Sequence, residues 1–273
     1  MVARFFRRLH DQRLIVVLVS LVALLLANPV FETWKSGRIY YHVFFDAVLV
    51  ASLFAVCRSR VALVIATIVG LPAFVLFWTS EIPGIERIMS RDWFDGGRYF
   101  LMATFLSIIG LLILWYVMRS ARITVNTLCG AISVYLLMGL IGGMLYAGLD
   151  HVDYHSFQFA NILKRDASGQ PIDWYQRSGL LLYYSFVTQT TVGYGDIAPI
   201  TASARTLSAI QAVLGQMYLA VLIARLVGLH IAVNAWTQQM SLASPVQLPA
   251  VDVGPDEYAK AEAAANRAAA TDE

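Results

Sequence analysis

The sequence predicts an all-α membrane protein with six transmembrane helices and one shorter, re-entrant helix. Three observations predict it. Of the 273 residues, 58% are hydrophobic and 14% charged, and mean hydropathy is +0.63, outside the range of soluble domains. The apolar residues fall in long runs rather than alternating, and about 20 such residues let a helix cross the hydrocarbon layer. Polar connections bearing Pro, Gly and Arg separate the runs, so each reads as one hairpin arm with its backbone satisfied internally. A net charge of +2 gives no electrostatic ground for nucleic-acid binding. Both cysteines, Cys57 and Cys129, lie in apolar segments, so neither a disulfide framework nor a CxxC metal site is expected. No nucleophile, base or metal-ligand constellation stands in a loop, so no enzyme is expected and no cofactor.

Taken in order, residues 1–13 form a basic N-terminal segment in which Arg4, Arg7, Arg8 and Arg13 surround Phe5, Phe6 and Leu9. It reads as a solvated, positively charged end or a short amphipathic helix on the membrane surface, and its shortness favours the first. Leu14 to Ala27 is uninterrupted and apolar, and Asn28-Pro29 comes next. Basic residues ahead of an apolar run also mark a signal peptide. An even helix count is needed to orient the later segments, so the run is read as the first span. The second span covers about Ile39 to Cys57 and carries the intramembrane charge Asp46, a functional candidate by its depth. Arg58 and Arg60 turn the chain into the third span, Val61 to Thr79, where Gly70-Leu71-Pro72 predicts a kink. A polar loop, Ser80 to Arg98, precedes the fourth span, Tyr99 to Met118. Residues 14–122 thus make a four-helix peripheral domain. Arg119 and Arg122 close a short connection to the fifth span, about Ile123 to Leu149, whose Gly139, Gly142 and Gly143 permit close helix approach.

Asp150 to Arg177 reads as a polar loop, in which Asp150, His151, Asp153 and His155 are candidates for sensing external pH or, more simply, solvated residues. Ser178 to Gln189 is aromatic and apolar but too short to span. It leads directly into Thr190-Thr191-Val192-Gly193-Tyr194-Gly195-Asp196. The chain continues with a last span, about Arg205 to Trp236, and a tail, 237–273. The Ala-rich stretch Asp256 to Ala270 lacks a clean heptad and reads as disordered. The twenty Lys and Arg are shared almost evenly between the two sides, which leaves the positive-inside rule nearly silent.

The 190–196 stretch resembles the selectivity filter of potassium channels, for which a TVGYG loop is the standard example. The chemistry fits those residue types. A dehydrated K⁺ needs a cage of hard oxygens, which backbone carbonyls supply without fixed charge. Aiming successive carbonyls at one axis requires an alternating backbone, and Gly193 and Gly195 can adopt φ > 0 at little steric cost. The resemblance runs from about Ile123 to Trp236, a pore domain of 123–236. It implies that the carbonyls of Thr191, Val192, Gly193 and Tyr194, with Gly195, form the K⁺ sites. It further implies that Thr190, Tyr183, Tyr184 and Asp196 support the filter, with a phenol hydroxyl bonding Asp196. The Ser178 to Gln189 run becomes the pore helix, its negative dipole end turned to the cation. Gly215, twenty residues after Gly195, matches a gating-hinge glycine or packs closely on a neighbouring helix. Gln216, Leu219 and Ile223 are expected to line the inner cavity, and Arg225 to snorkel at its cytoplasmic end or act at an inner gate. Val187 stands where some relatives place a buried acid, so that brace is missing. One filter strand cannot surround an ion and the chain holds no second copy, so four identical chains are expected around one axis. Filters of this family face outward, which puts both termini in the cytoplasm. Bacterial six-helix channels look closest, which implies the inner cell membrane. Two other readings are a K⁺ transporter subunit and a non-conducting membrane receptor or assembly protein.

The plan is similar to six-helix voltage-gated channels, but the fourth span departs from them. Tyr99 to Met118 contains no Lys or Arg; Arg98 and Arg119 only bracket it. The Arg119 to Arg122 linker is also short for a lever helix. With 237–273 as the tail, a ligand-binding cytoplasmic domain is not expected, since fewer than about 40 residues seldom fold alone. Each charge moved through the field supplies about 2.3 kcal/mol per 100 mV, and this helix supplies none. Planar-bilayer recordings are expected to give a shallow conductance–voltage relation; a steep curve that needs several gating charges overturns this.

Overall fold

The computed structural model describes residues 13–32, 43, 45–50, 60–79, 92–120, 124–153, 156–165, 169–242 and 260. Residues 1–12, most of the expected second span, Arg58, His155 and nearly all of the tail lie outside them. The chain divides into two compact units, 1–227 and 228–273, and the packing described below belongs to the first.

Helix α1 spans Arg13–Glu32. It takes in Arg13, which sequence reading left in the solvated N-terminal segment. Arg13 is instead buried, with its guanidinium 5.5 Å from the centre of the Tyr116 ring, where the aromatic face meets the cation. Helix α2, Arg60–Thr79, is continuous through Pro72. Helix α3, Asp92–Arg119, begins well before Tyr99 and absorbs Gly96 and Gly97. Helix α4, Val125–Val152, starts where Thr124 caps it: the Thr124 hydroxyl accepts from the Thr127 amide, and Thr127 Oγ1 accepts from the Thr124 amide. This reciprocal cap satisfies two otherwise orphaned donors.

The segment between Asp150 and Arg177 is more ordered than a polar loop. Strand β1, Phe157–Phe159, pairs antiparallel with β2, Ile197–Pro199, in the register Phe157↔Pro199, Gln158↔Ala198 and Phe159↔Ile197. A 3₁₀ turn comes next, at Asn161–Lys164. Helix α5, Trp174–Gln189, starts four residues before the expected Ser178 because Asp173 and Gln176 cap it reciprocally. Asp150 is fully buried and grips Arg177 of α5 in two bonds, Nε to Oδ2 at 2.5 Å and Nη2 to Oδ1 at 3.1 Å. His151 packs its ring edge-on against Trp174 at 4.4 Å. Asp150 and His151 therefore fasten α4 to α5, and only Asp153 of the expected solvated cluster is exposed among the described residues.

Helix α6 covers Ala202–Leu242, three residues earlier than expected. Among the described residues three helices are long and apolar enough to cross a membrane: Gly96–Arg119, Val125–Val152 and Ala202–Leu229. Arg13–Ala27 and Ala66–Leu76 are apolar but shorter. Helix α4 is the packing centre, in contact with α1, α3 and α5. Its small residues meet α5 almost backbone to backbone. A Cβ on Gly143 would stand 2.9 Å from Leu182 Cα, and one on Gly139 would strike the Phe186 ring. In lipid, where apolar surface gains nothing by leaving the solvent, such close van der Waals contact is what holds helices together.

Gly143→Ala is expected to cost about 1–3 kcal/mol by overpacking and to lower the thermal unfolding midpoint of the purified protein. Gly97→Ala, where an added Cβ meets nothing within 4 Å, is expected to leave it unchanged or raise it.

Candidate functional site

The 190–196 segment hangs from the last turn of α5. Four consecutive amides turn back to that turn: Thr190 to Phe186 O (2.9 Å), Thr191 to Thr188 O (3.0 Å), and Val192 and Gly193 to Val187 O (3.0 and 3.4 Å). The Thr190 hydroxyl also donates to Phe186 O, at 2.7 Å. Every second residue is then left-handed: φ is +60° at Thr191, +58° at Gly193 and +79° at Gly195. Sequence reading gave that conformation to the glycines alone. A β-branched residue at φ +60° is an outlier, with a strain on the order of 1–3 kcal/mol that persists only where surrounding contacts impose it. The Thr191 amide bond to Thr188 O is one such contact. With the amides engaged inward, the carbonyls of 191–194 accept no bond among the described residues, and residues 191–195 are exposed in the single chain.

Past the glycines the segment is braced from several sides. The Tyr183 hydroxyl donates to Asp196 Oδ2 at 2.8 Å, and its ring stacks on Tyr194 with centroids 6.4 Å apart and planes 6° from parallel. Partial desolvation, and then the Asp196 carboxylate, push the Tyr183 phenol up to about 12, so it stays a donor at neutral pH. Asp196 also accepts from the Ile197 amide at 3.0 Å, and its carbonyl accepts from Ala160 at 2.8 Å. Together with the β1–β2 pair, these bonds tie the outgoing leg to the chain that succeeds α4.

Tyr184 does not share this task. One residue on, it points about 100° around the helix and donates to Ser208 Oγ of α6 at 2.9 Å. Its ring sits 5.2 and 5.4 Å from those of Tyr146 and Phe157.

Sequence reading missed the contacts on the other side of α5. Gln211 of α6 is buried between α4 and α5. Its Oε1 accepts from the Tyr146 hydroxyl at 2.5 Å, and its Nε2 donates to Ser185 Oγ at 2.7 Å and Gln189 Oε1 at 3.4 Å. Ser185 in turn donates to Gly139 O at 2.7 Å, and Gln189 Nε2 to Tyr135 O at 2.8 Å. All four polar side chains are buried. The available signal was their spacing: Ser185 and Gln189 four apart on α5, Ser208 and Gln211 three apart on α6, each pair on one helix face. A hydrogen bond between helices in lipid contributes about 0.6 kcal/mol on average. Leaving one such group unpaired in hydrocarbon costs several kcal/mol. The network therefore fixes positions more than it adds stability.

Gly215 lies one turn beyond Gln211 on the same face. A Cβ there would stand 2.6 Å from Gln189 O, so this glycine lets α6 rest on the end of α5. Further along that stripe the Tyr218 hydroxyl donates to Ala131 O at 2.6 Å. Arg225 does not simply extend to a surface: its Nη2 donates to Met118 O (3.1 Å) and Ser120 O (2.7 Å), capping α3. Gln216 and Ile223 lie on a different, exposed face, and Leu219 is half-buried. Asp46 is half-buried and accepts from Trp78 Nε1 of α2 at 2.6 Å, so its partner belongs to the peripheral helices.

Residues 173–230 match a family model described as ion channel. The match begins at the α5 cap and takes in the 190–196 segment, β2 and most of α6, which is 58 of 273 residues. No curated protein and no solved structure matches the chain. The matched segment, carried on apolar helices, points to an ion channel that assembles as an oligomer in a membrane, and not to an enzyme.

Proposed function

We propose that the chain is a K⁺-selective channel subunit, four copies of which surround one pore. The observation that carries this reading is the alternation of left-handed backbone at Thr191, Gly193 and Gly195 beside carbonyls that accept no bond among the described residues. Four such legs facing one axis give rings of carbonyl oxygens, and rings of that kind replace the hydration shell of K⁺. Thr191, Val192, Gly193 and Tyr194 supply those carbonyls, and Gly195 gives the turn out of them. No fixed charge is involved, so an ion entering one site can repel its neighbour onward. The exposed apolar residues Ile210, Val213, Leu214, Met217 and Val221 of α6 leave a large surface for neighbouring copies and lipid.

In this reading 14–122 is a peripheral domain of four helices and 123–236 the pore domain, six spans in all with both termini in the cytoplasm of an inner cell membrane. Gln216, Leu219 and Ile223 face the inner cavity. Tyr183 and Asp196 brace the outer mouth, taking the place of the acid that Val187 lacks. Tyr184 supports the filter indirectly, through α6. Gly215 acts by packing rather than as a free hinge, since polar contacts at Gln211 and Tyr218 hold α6 on both sides of it.

Flux from liposomes containing the purified chain tests the reading. K⁺ efflux well above Na⁺ efflux, blocked by Ba²⁺ and abolished by Gly193→Ala, is expected; absence of flux under voltage, pH, tension and lipid change favours a non-conducting receptor. Tyr183→Phe keeps the ring stack and removes the bond to Asp196. Sustained K⁺ current is then expected to decay roughly fivefold faster, the equivalent of a bond worth about 1 kcal/mol. An unchanged decay removes Tyr183 from the brace.

A further inference from the structure

Helix α6 meets its own subunit along one stripe, Ser208, Gln211, Gly215, Tyr218, Leu222 and Arg225, whose spacings of three and four keep them on one face. All six are buried or half-buried, while Ile210, Val213, Met217 and Val221 beside them are exposed. Four members make polar contacts, and the partners differ in kind. Tyr218 and Arg225 reach backbone carbonyls of Ala131, Met118 and Ser120. Ser208 meets Tyr184, whose ring belongs to the aromatic cluster. Gln211 alone among these bonds Gln189, the last residue of α5 and two residues before the strained Thr191.

We propose that Gln211 is a positioning residue for the filter, through which the position of α6 sets the geometry of Thr191 and the carbonyls beyond it. This rests on the K⁺-channel reading and deepens it. Both ends of the Gln211 amide are engaged, so its orientation is fixed. Turning it over would present its oxygen to Ser185, whose single proton is already given to Gly139 O. A shift of α6 along or about its axis must therefore break bonds at Tyr146, Ser185 or Gln189, or carry those residues with it. Gln189 cannot follow without moving the end of α5. That end holds the Val187 and Thr188 carbonyls, which fix the amides of 191–193. Gly215, seated on Gln189 O, removes the slack that α6 would need to slide past. An apolar residue in place of Gln211 would fill the same space and leave α6 packed, but the filter would lose its register with it.

The test uses the full-length chain in planar bilayers, with Gln211→Leu and Tyr146→Phe. Assembly is monitored by size-exclusion chromatography, and the Na⁺/K⁺ permeability ratio and current decay by recording. Gln211→Leu is expected to assemble as the wild type does, with roughly a threefold to tenfold rise in relative Na⁺ permeability and faster decay, the scale of one or two hydrogen bonds in a membrane interior. Tyr146→Phe is expected to move both readouts the same way by less, and the double variant to match Gln211→Leu alone because both act through one network. If Gln211→Leu fails to assemble, Tyr146→Phe carries the same readout, since it removes one oxygen and keeps the ring cluster. Wild-type permeability and decay in assembled variants overturn the positioning role while leaving the channel reading intact. Absence of K⁺ flux through the wild type overturns both.

Discussion

The structure turns on where four amide protons go. The N–H groups of residues 190–193 are taken up by the carbonyls of Phe186, Val187 and Thr188 in the last turn of α5. An extended leg whose amides were free would seek a strand partner or water, and its carbonyls would be drawn along. Here the helix end absorbs the donors, so successive carbonyls accept no bond among the described residues. The helix terminus, which ordinarily leaves carbonyls unpaired, and the leg, which would leave amides unpaired, resolve each other's shortage. The left-handed conformation at Thr191 is part of that exchange, because the peptide it turns carries the Val192 amide back to Val187 O.

Everything around α5 keeps that end in place. At its start Asp173 caps it, and the buried Asp150 binds Arg177. Along one side the glycines of α4 bring the two backbones together, and on another the Gln211 network ties it to α6. The β1–β2 pair and the Ala160 bond fasten the outgoing leg, so the segment is held at both ends. Beside the 190–196 segment the braces are mostly phenols, amides and hydroxyls, and the Asp196 carboxylate is hydrogen-bonded by Tyr183 and the Ile197 amide.

Helix α3 is bracketed by Arg98 and Arg119 and uncharged between, and it packs on α4 and takes the Arg225 cap of α6 on its C-terminal carbonyls.

By itself the sequence determined the long apolar helices among the described residues, the uncharged stretch Tyr99 to Met118, the close approach allowed by Gly139 and Gly143, and the positive-φ glycines of the 190–196 segment. These rest on local properties: hydropathy, residue size and the conformational range of glycine. Helix starts differ from those expected by one to seven residues, and at α4 and α5 the caps, Thr124 with Thr127 and Asp173 with Gln176, decide them in side-chain detail. Only the tertiary structure decided which way Tyr183 and Tyr184 point, that Asp150 is buried with Arg177, that Phe157–Phe159 forms a strand, and that Gln211 and Gln189 meet. Each of those contacts joins residues at least 13 positions apart, with partners that a linear pattern does not name. The strain at Thr191 belongs with them, since no local preference would place a β-branched residue there; the contacts of the folded chain impose it.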